Sequence, residues 1–473
     1  MKQLSLIILF CALCCCAPAH VLAFYSNGRW STTALNGWTG AYGTGVDVTW
    51  GLVPDGTFIP GEGGSNLIAF MDGLFGNGGG GTNYQNRPWF HFFEDSFDRW
   101  SELGGLTFHY EDDDDGSNLR NLYGLQNVRG DVRIGGANID GVSGTLASTS
   151  FLLDADLTID TADSAYYSNS FNDYQNMRNT LMHEIGHALG LGHIDSTTTI
   201  FLMEPNANAA PVVGPQLDEI RGLHYLYGDV NEKGAGNNTA ATATPLNVTP
   251  GVEFILGKDP TVGNIITQMA ETDFLSISNQ SDFDYFTFEI ARAAVIDLSV
   301  FPVGQSYNER ISFSGANYST TFPVAIGDLG LQLYSLESGS PVLLSSQDVN
   351  PIGNQESIAQ FLLETPGEYA FRISASTTSV QLYQFSLLLE YVTDPNAMPG
   401  DFDGDGDVDG RDFLLWQQGG SIDPLSSEDL QEWQTYYSGS IEDFAASYAV
   451  PEPTAWGLML TPLLWGVYRR GVS

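Results

Sequence analysis

Cysteine is missing from all but the first sixteen residues. Cys11, Cys14, Cys15 and Cys16 are the full set in 473 residues, so a disulfide framework beyond position 16 is excluded. Basic residues are the second scarcity. Only 17 Lys and Arg stand against 57 Asp and Glu, a formal net charge of −40. Such a polyanion is repelled by a phosphate backbone, which argues against nucleic acid as a partner. Clustered acids can instead bind hard cations, although most surface carboxylates only aid solubility. Histidine is also rare, with seven in the chain.

What is present begins with an N-terminal signal. Lys2 precedes the apolar run "LSLIILFCALCCCA", and Val21-Leu22-Ala23 is a small-residue cleavage pattern. Residues 1–23 read as a secretory signal peptide, which leaves an exported mature chain with no cysteine. The length then allows two or three domains with their own cores.

Residues 24–228 mix strand and helix patterns. "GVDVTWGLV" alternates as a strand does, "RPWFHFFEDSFDRWSEL" has apolar residues at helical spacing, and "GDVRIGG" and "LTID" are short strand candidates. A second long helix is expected from about Asn172 to Gly190, with Leu181, Ile185, Ala188 and Leu189 on one face. The soft stretch "NEKGAGNNTAATATP" after Tyr227-Gly228 reads as a linker. From there to about Tyr391, runs such as "DYFTFEI", "LQLYSL", "EYAFRIS" and "YQFSLLLE" alternate between turn residues, the signature of an antiparallel β-sandwich.

Three of the seven histidines fall in "HEIGHALGLGH", residues 183–193. On a helix, His183 and His187 project from one face four residues apart and can bind one Zn²⁺. Gly190 allows a sharp turn that brings His193 round as a third ligand, leaving a fourth position for water. Zinc would lower the pKa of that water to about 7, and Glu184 would take its proton. The bland alternative is coincidence, with odds on the order of 10⁻⁵ at average residue usage. The pattern reads as a metal-dependent active site.

HExxHxxGxxH followed by a methionine, here Met203 in "IFLMEP", resembles the metzincin zinc peptidases, and the matrixin (matrix-metalloproteinase-like) branch in particular. "RWSTTALNGW", "VTWGLVPDGT", "FDRWSELGGLTFHYE", "GDVRIGG", "GTLA" and "LDEIRGLHYLYG" carry the likeness in order over about residues 28–228. The resemblance implies an α+β catalytic domain with a twisted mixed sheet and an active-site helix. It implies His183, His187 and His193 as zinc ligands, Glu184 as general base and then acid, and Met203 as a hydrophobic floor. "GTLA" around Ala147 would be the cleft-edge strand that pairs with an extended peptide or protein substrate. Ser148 and Thr158 stand where the ligands of a structural zinc are expected in this branch, so one zinc is expected. Asp112 to Asp115, Asp140 and Asp160 lie where the family tends to bind calcium. A catalytically silent surface or adhesion protein on the same scaffold is the rival reading, and intact Glu184 and histidines argue against it.

Residues 229–395 resemble bacterial pre-peptidase C-terminal domains through "DFDYFTFEI", "LQLYSLESG" and "TPGEYAFRI". In residues 396–448, "DFDGDGDVDGRD" places Asp401, Asp403, Asp405 and Asp412 at positions 1, 3, 5 and 12 of a Ca²⁺ loop. Gly406 falls at the turn, and Asp407 offers a backbone carbonyl. With the helices "FLLWQQG" and "SEDLQEWQTYY" this resembles one half of a dockerin, an EF-hand-like α-helical calcium module. A full dockerin has two loops, so a cohesin partner is doubtful. Residues 449–473 hold Pro451-Glu452-Pro453, an apolar stretch from Thr454 to Tyr468, and Arg469-Arg470. They resemble the PEP-CTERM sorting signal of Gram-negative-type bacteria. That implies transient membrane association through a short transmembrane segment, then release or display at the cell surface.

Overall fold

The computed structural model describes residues 24–437, apart from 121–122, 151–154, 199, 207–211, 268, 312–313, 378, 393–398 and 422–424. The expected signal peptide and sorting signal lie outside the described residues. Among those described, no helix is long and apolar enough to cross a membrane. The chain forms two units, residues 1–248 with 252–389, and residues 249–251 with 390–473.

In the first unit a short antiparallel pair, Thr32–Thr33 with Gly37–Trp38, precedes the alternating stretch, which forms β1 (Val46–Leu52). It is buried along nearly its whole length, as a parallel strand with both faces covered by packed layers is. Helix α1 (Leu67–Phe75) and helix α2 (Phe90–Leu103) follow, then β2 (Leu106–Tyr110), β3 (Val132–Ala137), β4 (Ala147–Thr149) and β5 (Leu157–Asp160). The sheet order is β2-β1-β3-β5-β4, parallel throughout except for antiparallel β4 at the edge. Phe90, Phe93, Phe97 and Trp100 make the buried stripe of α2. Trp50 of β1 stacks on Phe97 with ring centroids 4.5 Å apart, which fixes α2 to the sheet. Helix α3 (Gln175–Ala188) packs on α2, where the Trp100 indole N–H donates to the Met182 carbonyl at 3.0 Å. Strand β6 (Ile194–Ser196) and helix α4 (Leu217–Tyr227) complete this half.

Helix α3 is shorter than the expected 172–190. Asn172, Asp173 and Tyr174 all have positive φ, at 47°, 56° and 53°, a left-handed turn that a helix cannot contain. At the other end Gly190, with φ 101°, reverses the chain.

The same unit continues into a β-sandwich. One sheet contains β7 (Thr244–Pro245), β10 (Asp284–Ile290), β14 (Asp328–Ser335), β15 (Val342–Gln347) and β17 (Gly367–Ser376), in the order β7-β10-β17-β14-β15. The other contains β8 (Phe254–Leu256), β9 (Leu275–Ile277), β11 (Ala294–Pro302), β16 (Glu356–Leu363) and β18 (Gln381–Tyr391). It is ordered β8-β18-β11-β16, with β9 also paired to β18. Phe286, Phe371 and Phe385 meet between the sheets at centroid distances of 4.8–5.2 Å. Between β11 and β14 a hairpin, β12 (Tyr307–Ile311) and β13 (Ser319–Thr321), leaves the sandwich and pairs with β6.

The stretch expected to be a linker is packed instead. Asp229, Glu232 and Asn237 are buried, and the Asp229 carboxylate accepts from the Ser276 amide of β9 at 2.8 Å. Glu232, Asp282 and Asp284 bring carboxylate oxygens within 4.8 Å of one another, all buried, a donor set suited to a cation. Burial is the largest cause of raised carboxyl pKa values here, to about 7 for Asp229, about 9 for Glu232 and about 6 for Asp282. Without a cation the folded chain thus holds protons that the unfolded chain releases near pH 4. Stability then falls as pH rises from about 4 towards 9. In chelator, the thermal midpoint of unfolding is expected to be higher at pH 5.5 than at pH 8.5. The opposite order would remove this cluster as the dominant titrating group.

In the second unit the described elements are α5 (Gly410–Gln417) and α6 (Ser427–Tyr436). Asp409 and Ser426 cap their N-termini, and Phe413 of α5 packs on Trp433 of α6 at 4.8 Å.

Candidate active site

Helix α3 carries Met177, Leu181, Ile185 and Ala188 into the core, which leaves His183 and His187 on the face towards a cleft. Its end is held from two sides. The Trp30 indole N–H donates to the Ala188 carbonyl at 3.0 Å, and the Tyr227 hydroxyl donates to Leu189 at 2.8 Å. The turn at Gly190 follows, and His193 swings back. Its Nε2 lies 3.1 Å from His183 Nε2 and 2.9 Å from His187 Nε2. Three imidazole nitrogens therefore converge on one point.

The tautomers are set by carbonyl oxygens, which only accept. His183 Nδ1–H donates to Leu202 at 2.8 Å, and His187 Nδ1–H donates to Leu191 at 2.8 Å. Their Nε2 lone pairs therefore face the convergence point, as metal ligation requires. Burial, with a histidine neighbour adding to it, lowers both imidazoles to about 4, and burial lowers His193 as well. The three rings are neutral near pH 7 and ready to bind a cation.

Glu184 is buried beside them, and burial raises its carboxyl pKa. The Thr149 hydroxyl of β4 donates to its Oε2 at 2.7 Å, a contact absent from the sequence reading. Met203 packs against the helix between the two histidines. A Cβ on Gly186 would stand 2.6 Å from Met203 Sδ, so the glycine is what admits it. Met203 is tied to α4, since its amide donates to Glu219 Oε1 at 2.8 Å, and its carbonyl accepts from the Ile194 amide at 3.2 Å. Neither Gly186 nor Glu219 stood out in the sequence beyond the motif itself.

Ala147 opens β4, the sheet edge, and residues 143–149 line the cleft of about 570 Å³ together with Tyr166, Asn179, the three histidines, Glu184 and Pro205. The strand therefore begins three residues later than the start of "GTLA". Ser148 and Thr158 are paired across β4 and β5, and both hydroxyls accept from Arg120 Nη2 at 3.0 Å. A guanidinium pins the edge strand there. Asp140, Asp160 and Asp163 accept backbone N–H groups around the loop before β4. Of the aspartate run, Asp114 pairs with buried Arg133 at 2.7 Å and Asp115 with Arg129, while Glu111, Asp112 and Asp113 cluster at the surface.

Three neutral imidazoles plus a buried carboxylate on the edge of an open strand is a peptidase-like donor set, and the comparisons agree. Residues 82–228 match the matrixin family. The match supports a metalloprotease at the family level, and the matrixin family implies a catalytic zinc. Metalloendoproteinase 2-MMP of Arabidopsis thaliana is 30% identical over 164 residues, 33% of this chain and 40% of that protein. The chain thus spans about two fifths of this relative's length. Among solved structures, the pre-peptidase C-terminal domain of a Bacillus anthracis collagenase is 16% identical. That likeness covers 31% of this chain and 94% of the other, with a TM-score of 0.18.

In the second unit, Asp401, Asp403 and Asp412 bring carboxylate oxygens within 4.8 Å, as do Asp407, Asp409 and Asp412. Asp401 accepts from the amides of Gly404 and Gly406 at 2.8 and 3.0 Å, and Asp405 accepts from Asp407 at 3.2 Å. Burial is the main cause that raises Asp403 to about 6, with the other aspartates adding to it.

Proposed function

We propose that this chain is a zinc-dependent endopeptidase acting on extended peptide segments of proteins. The observation that carries the reading is the convergence of His183, His187 and His193 Nε2 atoms beside the Glu184 carboxylate, in a cleft bounded by edge strand β4. The three histidines would hold the zinc. When bound, it supplies Lewis acidity towards a carbonyl oxygen and towards water. Glu184, with its pKa raised by burial, takes the proton of the attacking water and returns it to the leaving amine. Thr149 holds that carboxylate in place through its hydroxyl. The open edge of β4 offers backbone groups to an extended substrate, which aligns the scissile bond.

The test is cleavage of a peptide library by the purified protein with and without chelator. Chelator-sensitive internal cleavage, restored by zinc, is expected. A protein that binds zinc and cleaves nothing would instead support the adhesion reading.

We also read the loop of Asp401, Asp403, Asp405, Asp407 and Asp412 as a calcium site. The carboxylates of Asp401, Asp403 and Asp412 gather as ligands would, those of Asp407 and Asp409 gather with Asp412, and like charges so close favour a cation among them. Metal analysis is expected to find calcium besides one zinc, and Asp401→Ala to reduce the calcium only. Unchanged calcium in that variant would return the loop to an acidic turn. Export and C-terminal sorting belong to the same proposal, resting on residues 1–23 and 449–473.

A further inference from the structure

Strand β6 begins one residue after His193, yet it is not part of the peptidase sheet, whose order is β2-β1-β3-β5-β4. Its strand partner is β12 of the sandwich hairpin. Ile194 faces Ile311, Asp195 faces Arg310 and Ser196 faces Glu309. The contact is charged as well as backbone-mediated. Arg310 Nε donates to Asp195 Oδ2 at 2.9 Å, and its guanidinium lies over the Tyr318 ring at 4.6 Å, which limits where it can point.

The remainder of the loop from His193 to Glu204 closes on itself and on the same hairpin. The Ile194 amide donates to the Met203 carbonyl, and Glu204 accepts from the Ser196 amide and hydroxyl at 2.8 and 2.6 Å. Phe201 meets the ring of Tyr307 edge-on at 5.2 Å. The Tyr307 hydroxyl in turn donates to Asp218 at 2.9 Å and accepts from Arg221 at 2.8 Å, all buried. His183 and His187 sit on a helix braced by α2 and the core. His193 has no such helix, and the segment that follows it is braced by the sandwich.

We infer that the β12–β13 hairpin is a working part of the metal site, and that Arg310 is a positioning residue which holds His193 through Asp195. The sandwich is then more than a spacer. This rests on the reading of His183, His187 and His193 as zinc ligands. A group hydrogen-bonded directly to a metal ligand typically alters metal affinity 10- to 100-fold. Arg310 acts one step further back, through Asp195 and the backbone, so a loss at the lower end, about tenfold, is expected.

The experiment uses the full-length chain. Wild type, Arg310→Ala, Asp195→Ala, the double variant and Arg310→Lys are stripped and titrated with zinc against a chromophoric chelator, then with cobalt to record the visible absorption spectrum. Far-ultraviolet circular dichroism confirms that each is folded. Both single alanine variants are expected to bind zinc about tenfold more weakly, with an altered cobalt spectrum. The double variant should be no worse than either single one, because both break the same contact. Arg310→Lys should recover part of the loss. If wild type binds neither metal at one per chain, the zinc reading itself fails. If wild type binds and Arg310→Ala matches it in affinity and spectrum, only the positioning role fails. Fully additive losses in the double variant would also overturn it, since Arg310 would then act elsewhere. Arg310→Ala leaves the Asp195 carboxylate, only 15% exposed, without this ion pair, so Asp195→Ala and the double variant separate that penalty from the positioning role.

Discussion

Replacing Glu184 with alanine is expected to cut peptide hydrolysis by roughly 10²- to 10⁴-fold, the usual worth of a positioned acid–base group. Zinc should stay bound at one per chain. The carboxylate lies beside the three imidazoles, with Oε2 occupied by the Thr149 hydroxyl, and its removal leaves all three Nε2 atoms converged. His187→Ala makes the contrast. It deletes one of those nitrogens and the Nδ1–H bond to Leu191, so zinc and activity should disappear together. Metal analysis by mass spectrometry alongside casein cleavage separates the two. Activity within a few-fold of wild type in Glu184→Ala would remove the residue from its assigned role.

Glu219→Ala is expected to destabilise the first unit by about 2–5 kcal/mol, since it leaves two buried amides without an acceptor. The carboxylate accepts from Met203 and Gln216, 2.8 and 2.9 Å away, and is itself buried. It joins the cap of α4 to the chain under the histidines. Glutamine should not rescue it, because one arm of the amide would present N–H to an N–H. Burial raises the Glu219 carboxyl to about 8, so near neutral pH it is largely a neutral acid, which still offers two oxygens. Chemical denaturation of both variants checks this. A midpoint unchanged in Glu219→Ala would mean that water satisfies the two amides.

The candidate metal site was legible because its chemistry is local. A four-residue spacing on a helix and a glycine three residues on are readable without knowing what lies opposite, and Gly190 has the expected positive φ. Thr149, Arg120 and Glu219 were not legible, since their roles come from partners 35, 28 and 16 residues away. The start of α3 was misplaced because Asn172 and Asp173 suit a left-handed turn as well as a helix start, and Tyr174 gives no sign of its positive φ. Strand alternation announced the sandwich. It gave no hint that Tyr307–Ile311 would pair 115 residues back, because pairing partners are a global property of the fold. The linker expectation failed for a related reason. "NEKGAGNNTAATATP" is soft in composition, yet Glu232 and Asn237 are buried.

Ile266, Phe274, Tyr307, Val380 and Leu382 from the sandwich share one apolar core with Trp100, Leu181 and Met203 of the matrixin-like half. Modules strung on free tethers can be shuffled between genes, each replacement leaving its neighbours intact. These two halves have lost that liberty. A change at the seam is felt by both, and a graft of the matrixin-like half onto another carrier would expose an oily wound there.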